Sequence, residues 1–249
     1  MSKFIEKLKI HTQSSPAPLG FGKTPAQEKP RMLLVALLTG TDNSKIGECV
    51  KGADAVLVSS DSPGSLIEAL PKIQKANSDV LWGGYLKNTG PEKLDIRSTA
   101  ADFLVFSPQT SLFEIPDKTG KILEIDAAIT DTQLRAIDDL PVDAVFFAAK
   151  PEVLNWQYLI TIQRLDNLLA KPLLAAVPPE VTIEELQTLW SVGVDGVVIE
   201  ATASGKLKAL RDDIGKTVFP LPRKSKKAEV RIPFVGPAPV EEPDEEDDE

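Results

Sequence analysis

Residues 194–199 read Val-Asp-Gly-Val-Val-Ile, and the same pattern occurs three more times, as Ala53-Asp54-Ala55-Val56-Leu57-Val58, Ala101-Asp102-Phe103-Leu104-Val105-Phe106 and Val142-Asp143-Ala144-Val145-Phe146-Phe147. Each has a small or branched residue, an Asp, then a short run of aliphatic and aromatic side chains, the composition of a strand buried on both faces. The four Asp residues stand 48, 41 and 52 positions apart, which marks a repeated supersecondary unit. Four other apolar runs alternate with them, at 32–38, 80–86, 121–126 and 172–177. The count is eight strands.

The segments between these runs carry helix-start signals. Ser62-Pro63 opens a helix over 66–76, and Thr130 or Asp131 opens one over 133–140. Asn155 caps 156–169, Thr182 with Glu185 forms a capping box before 186–192, and Ser204 caps 206–216. Weaker helices fall at 43–50 and 91–100. Strand followed by helix, eight times over, predicts an α/β fold, a (β/α)8 TIM barrel. An open doubly wound sheet is the alternative, but the turn Leu38-Thr39-Gly40-Thr41-Asp42 lacks the glycines of a nucleotide-binding loop. Only residues 107–119 separate the fourth and fifth strands, so the fourth α unit is shortened and the outer ring is thin there. The repeated Asp falls at the strand entrances, the end of a barrel that serves stability, where a carboxylate accepts hydrogen bonds from loop amides.

The boundaries follow from composition. Residues 1–30 form a basic N-terminal arm, 31–219 the barrel, 220–239 a Pro-rich extension and 240–249 a disordered acidic tail. Of the net charge of −9, eight units come from residues 241–249, while the two basic clusters, 1–31 and 223–227, flank the barrel. A nucleic-acid role wants a basic face on the folded part and is excluded on this ground. In residues 1–10, Phe4, Ile5 and Leu8 share a helical face opposite lysines. That face either packs on the barrel floor or makes a weak peripheral membrane contact. No stretch resembles a secretory signal or a membrane span, so a cytoplasmic protein is expected.

One Cys and one His in 249 residues exclude an internal disulfide and a His/Cys zinc site. A Ser-His-Asp triad around His11, in the polar arm, is also excluded. Trp156 and Trp190 are expected to pack helices onto the barrel.

In such a barrel the site is assembled at the C-terminal ends of the strands. Thr39, Ser59, Tyr85, Lys87, Glu124, Asp126, Lys150, Glu200, Thr202 and Ser204 are the candidates there. Glu124 and Asp126 are two apart and face one way while Leu123 and Ile125 face the other. Both carboxylates are therefore expected in the barrel mouth, paired with Lys87, Lys150 or both, because an unpaired buried charge is costly. Glu124 and Asp126 form the acid/base pair, Lys87 holds an anionic group, and Lys150 is a nucleophile or an electrostatic stabiliser. Thr39, Ser59, Tyr85, Glu200, Thr202 and Ser204 are expected to contact the ligand. Glu124, Asp126, Glu200 and Asp61 could converge to hold Mg²⁺ with water, but a cation-paired wall has the same composition and is the preferred reading, so no metal or cofactor is assigned.

The segment 171–200, with Pro172-Leu173-Leu174-Ala175-Ala176-Val177, Glu184-Glu185-Leu186 and Val192-Gly193-Val194-Asp195-Gly196-Val197-Val198, resembles the last two units of the aldolase-type, phosphate-binding barrel superfamily. Lys150, ending the sixth strand, resembles the Schiff-base lysine of class I aldolases. The resemblance implies a barrel enzyme of lyase or aldolase type, acting on a small anionic or carbonyl-containing metabolite. The chain departs from the family at Val177-Pro178-Pro179-Glu180, where two prolines remove amide donors that a phosphate needs. The alternative is a degenerate barrel that binds a ligand, protein or membrane without chemistry. A homo-oligomer is also compatible with the thin fourth unit.

Overall fold

Each of the eight apolar runs forms a strand: β1 Leu33–Thr39, β2 Ala55–Ser60, β3 Leu81–Leu86, β4 Phe103–Phe106, β5 Gly120–Ile125, β6 Ala144–Phe147, β7 Leu173–Val177 and β8 Gly196–Glu200. In this computed structural model, which describes residues 2–12, 32–39, 46–60, 80–86, 101–110, 115–201 and 206–219, the strands pair in parallel and in chain order. Pairing of β1 with β8 closes the barrel. The chain is a (β/α)8 barrel. Among the described residues the helices are α1 Lys3–Thr12, α2 Ile46–Cys49, α3 Asp131–Ile137, α4 Trp156–Leu168, α5 Ile183–Ser191 and α6 Lys206–Lys216.

Three of the expected caps are in place, while Ser62 and Ser204 lie outside the described residues. Thr130 and Gln133 form a capping box on α3, Thr182 and Glu185 form one on α5, and the Asn155 side chain accepts from the Tyr158 amide at the start of α4. Of the helix expected over 43–50, residues 46–50 are described, and they hold the single turn of α2. After β4 the described residues form turns rather than helix, and a groove of about 540 Å³ opens beside Leu123, Ile125 and Ile137. The helices expected at 66–76 and 91–100, the turn at 111–114, the Pro-rich extension and the acidic tail lie outside the described residues.

Strand alternation divides the buried side chains into two cores. Leu34, Val56, Leu104, Leu123, Val145, Ala175 and Val197 face outward beneath the helices. Leu33, Val35, Ala55, Leu57, Tyr85, Phe103, Ile122, Phe146 and Val198 fill the inside. Phe4, Ile5 and Leu8 of α1 belong to the inner core and are at most 1% exposed. Of the two readings of residues 1–10, packing on the floor is the one observed: the apolar face of α1 closes the floor of the barrel.

Two glycines make room for this plug. A Cβ on Gly120 would lie 2.6 Å from Ile5, and one on Gly83 would lie 2.3 Å from the ring of Phe103, which stacks on Phe4 with centroids 4.4 Å apart. Glycine here is a matter of close approach rather than of dihedral freedom.

The repeated Asp acts at the floor as expected. The backbone N–H groups of Asp54, Asp102, Asp143 and Asp195 donate to the carbonyls of Leu34, Trp82, Lys121 and Leu173 on the preceding strand. In three cases the carboxylate accepts the N–H of that same residue, at 3.0 Å for Leu34, 2.9 Å for Lys121 and 2.7 Å for Leu173. This reciprocal pair fixes the register of each strand couple. Asp102 departs, because its carboxylate turns to α1 and accepts from Ser2 Oγ and from the amides of Lys3 and Phe4 at 2.7, 2.9 and 2.8 Å. It satisfies amides that have no partner within the helix and complements the positive end of the helix dipole. Asp54 also accepts a bidentate bond from Arg211, at 3.0 and 2.9 Å, and so ties α6 to the entrance of β2.

Burial of the Asp195 carboxyl pushes its pKa up to about 7; the Leu173 amide opposes the shift and the Asp166 charge adds to it. The folded chain then holds a proton that the unfolded chain releases near 3.8, so this contribution is complete below that value and declines as pH rises through about 7. Urea unfolding of Asp195→Asn, whose amide oxygen still accepts from Leu173, should lose less stability between pH 5 and 8 than wild type; an equal or greater loss would contradict the assignment. Phe4→Ala should lower stability by about 3–5 kcal/mol, as for other buried Phe truncations, whereas a loss below about 1 kcal/mol would mean that α1 does not form part of the core.

Candidate functional site

The inward-facing positions change character at the C-terminal rim. Thr39, Ser59 and Tyr85 are register partners across β1, β2 and β3. All three continue the inward parity of Val35, Leu57 and the rest of the inner core. Glu124 on β5 follows the inward Ile122, and Glu200 on β8 follows the inward Val198. Two hydrogen-bonded groups result. The Tyr85 phenol donates to Glu124 Oε1 at 2.9 Å. Lys150 Nζ donates to Glu200 Oε2 at 2.7 Å, and Thr39 Oγ1 donates to Glu200 Oε1 at 3.1 Å.

Tyr85 is buried at 3% exposure, and its ring meets Phe146 edge-on at 5.9 Å. Burial raises its pKa far above the ordinary phenol value, and the Glu124 charge and hydrogen bond raise it further. The phenol is thus a proton donor to Glu124 throughout the physiological range. Tyr158 is likewise raised by burial, but its hydroxyl is committed to the carbonyl of Ala176 at 2.6 Å.

The pairing of Lys150 differs from the expected one. Lys150 takes Glu200 as its partner, because strand eight sends its last inward carboxylate to the same rim. Asp126 lies one residue beyond β5, where its exposed side chain accepts from the Ala128 amide at 2.8 Å in a local turn. The period-two rule that oriented Glu124 stops where the ladder stops. Lys87, Thr202 and Ser204, like Asp61, lie outside the described residues. Ser59 is buried at 8% exposure between its Thr39 and Tyr85 neighbours. Among the described residues no set of three His, Cys, Asp or Glu side chains could hold a metal ion. The paired use of Tyr85 and Glu124 was not read from the sequence, though both lie at inward positions of their strands.

Beyond strands seven and eight a second groove, of about 410 Å³, is lined by Pro179, Glu180, Glu184, Glu200, Lys206 and Asp213 among others. Lys206 is ion-paired with Glu180. Four carboxylates against one lysine among these residues oppose an anion in this groove.

No protein-family model matches the sequence, and no curated protein matches it either. Solved structures do. The chain is similar to (S)-3-O-geranylgeranylglyceryl phosphate synthase from Thermoplasma acidophilum in complex with sn-glycerol-1-phosphate, at 12% identity and TM-score 0.56, over 88% of this chain and 99% of that one. It is also similar to 3-keto-L-gulonate-6-phosphate decarboxylase from Vibrio cholerae, at 12% identity and TM-score 0.59, over 76% and 100% of the two chains. Orotidine 5'-phosphate decarboxylase from Pyrococcus horikoshii matches at 13% identity and TM-score 0.56, over 74% and 99%.

Lys150 and Glu200 have side chains 38% and 32% exposed, so their attraction is screened by water. A double-mutant cycle with Lys150→Met and Glu200→Gln should give a coupling of less than about 1 kcal/mol in unfolding; a coupling above about 3 kcal/mol would make the pair a structural element instead. In fold, the chain is a closed (β/α)8 barrel like these three.

Proposed function

We propose that the barrel mouth binds a small carbonyl-containing metabolite and exchanges a proton at the carbon beside the carbonyl, the step shared by lyase and aldolase chemistry. The observation that carries this reading is the two hydrogen-bonded groups built on inward positions of one rim, Tyr85 with Glu124 and Thr39 with Glu200, the second of which also takes in Lys150 from beyond β6. The Glu124 carboxylate accepts the carbon-bound proton, and the Tyr85 phenol steadies the carboxylate and limits its orientation. The electron pair left on carbon delocalises onto the carbonyl oxygen, where the Lys150 ammonium stabilises the growing negative charge. Lys150 acts here as a cation and not as a Schiff-base nucleophile, since its Nζ is engaged by Glu200 at 2.7 Å. Ser59 and Thr39 offer hydroxyls to the remaining polar groups of the ligand. Lys87, Thr202 and Ser204 complete the proposed set from the loops, and Asp126 stands at its edge.

The neighbours support a small-molecule barrel. One was solved with sn-glycerol-1-phosphate, and another is named for a keto phosphate and its decarboxylation. The acidic groove and the two prolines in this chain favour a ligand recognised by its carbonyl rather than by a phosphate.

Pyruvate, dihydroxyacetone and its phosphate ester are suitable probes, with hydrogen–deuterium exchange at carbon followed by proton NMR. Wild type should accelerate exchange on at least one of them. Glu124→Gln should lose at least about 100-fold of that rate with binding retained, Lys150→Met should lose binding and rate together, and borohydride should trap no adduct. A lysine adduct would make Lys150 a nucleophile, and binding without exchange on any probe would favour the non-catalytic module.

A further inference from the structure

The row of hydroxyls on β1, β2 and β3 is not used evenly. Thr39 Oγ1 donates to Glu200, and the Tyr85 phenol donates to Glu124. A hydroxyl has a single proton to give and a carboxylate can only accept, so neither Thr39 nor Tyr85 keeps a proton for a ligand. Ser59 stands between them, paired in register with both. Among the described residues its hydroxyl has no hydrogen-bond partner, although Ser59 is only 8% exposed.

A buried hydroxyl left unbonded costs free energy, and an apolar group of the same size would remove that cost. Ser59 is thus a poor choice for stability alone. Its direction follows from strand alternation: Ala55 and Leu57 of β2 belong to the inner core, so Ser59 points into the barrel, at the level where the mouth begins. Thr110 Oγ1, in the turn after β4, is unbonded too but sealed from solvent, and no ligand reaches it.

The surroundings define what can complete Ser59. The oxygens of Thr39 and Tyr85 can only accept, and so can the carboxylates of Glu124 and Glu200. A ligand oxygen that also only accepts, in a ketone, carboxylate or phosphate, could take the Ser59 proton but would face these oxygens acceptor against acceptor. A hydroxyl both accepts and donates, so it takes the Ser59 proton and passes its own to a neighbouring oxygen. We propose that Ser59 is a specificity-determining residue, selecting a ligand that carries a hydroxyl as well as the carbonyl, a small hydroxyketone or hydroxyaldehyde. This deepens the function proposed above and rests on it, because the carbonyl oxygen is placed at Lys150. The two ends are close: Lys150 is joined through Glu200 to Thr39, and Thr39 and Ser59 lie on adjacent strands about 4.8 Å apart.

Binding of hydroxyacetone and of butanone, which has a methyl group in place of the hydroxyl, tests this in saturation-transfer NMR titrations of the full chain. Wild type should bind hydroxyacetone at least about tenfold more tightly, and Ser59→Ala should bring the two affinities to within about twofold. Equal binding of both ketones by wild type would overturn the selection while leaving the carbonyl site in place. A preference that survives in Ser59→Ala would belong to another residue and would also overturn it. If neither ketone binds, the carbonyl reading falls and this inference falls with it. Thermal unfolding gives a second readout: Ser59→Ala should melt no lower than wild type, whereas a clear drop would mean that the hydroxyl is bonded within the protein, which likewise overturns the proposal.

Discussion

A parallel sheet closed on itself leaves its side chains no choice but to alternate, one toward the helices and the next into the barrel. Every inward position must then be filled, or given a polar partner, because no water-filled lumen fits inside eight strands. The two ends of this barrel meet that demand differently. At the floor, Gly83 and Gly120 withdraw and Phe103, Phe4, Ile5 and Leu8 take the space. At the rim, the inward positions become Thr39, Ser59, Tyr85, Glu124 and Glu200; Tyr85 bonds Glu124, and Thr39 bonds Glu200, which takes in Lys150.

The carboxylates at the two ends have different work because their surroundings differ. At the floor, Asp54, Asp143 and Asp195 accept backbone amides of the neighbouring strand, bonds that carry no exchangeable proton into a cavity and serve register alone. At the rim, Glu124 accepts from a side-chain phenol and Glu200 from an ammonium and a hydroxyl, all groups that a ligand can replace. Asp102 shows how one unit of the repeat is diverted: giving its carboxylate to the first turn of α1 converts a terminal segment into a plug. Architecture of this type is shared by enzymes of many activities, so the chemistry is argued from the rim and not from the fold.

Much of this was legible in the residues. The four Asp-led runs and the four apolar runs between them gave the eight strands, and Thr130 or Asp131, Asn155 and the Thr182–Glu185 box located helices because capping is a local interaction. The inward direction of Glu124 followed from alternation. Partner choice did not follow, since Lys150 and Glu200 are 50 positions apart and only closure of the ring brings them together. The plug was ambiguous for the same reason. An amphipathic Phe4-Ile5-Leu8 face wants an apolar surface, and the sequence does not say whether that surface is a membrane or the floor of a barrel cleared by two distant glycines. Trp190 packs as expected, at 6% exposure, but Trp156 is 80% exposed; it misled because helical spacing shows that a residue belongs to a helix face without showing which face is buried.

The account stands on the rim being one ligand-accessible mouth, and the tyrosines test it. There are two in the chain: Tyr85, bonded to Glu124, and Tyr158, bonded to Ala176 on the other side of the strands. With both replaced by 3-fluorotyrosine, fluorine NMR during titration with a 2-oxo acid should move the Tyr85 resonance and leave that of Tyr158 in place. A Tyr158 shift with Tyr85 unmoved would put the ligand elsewhere and contradict the account.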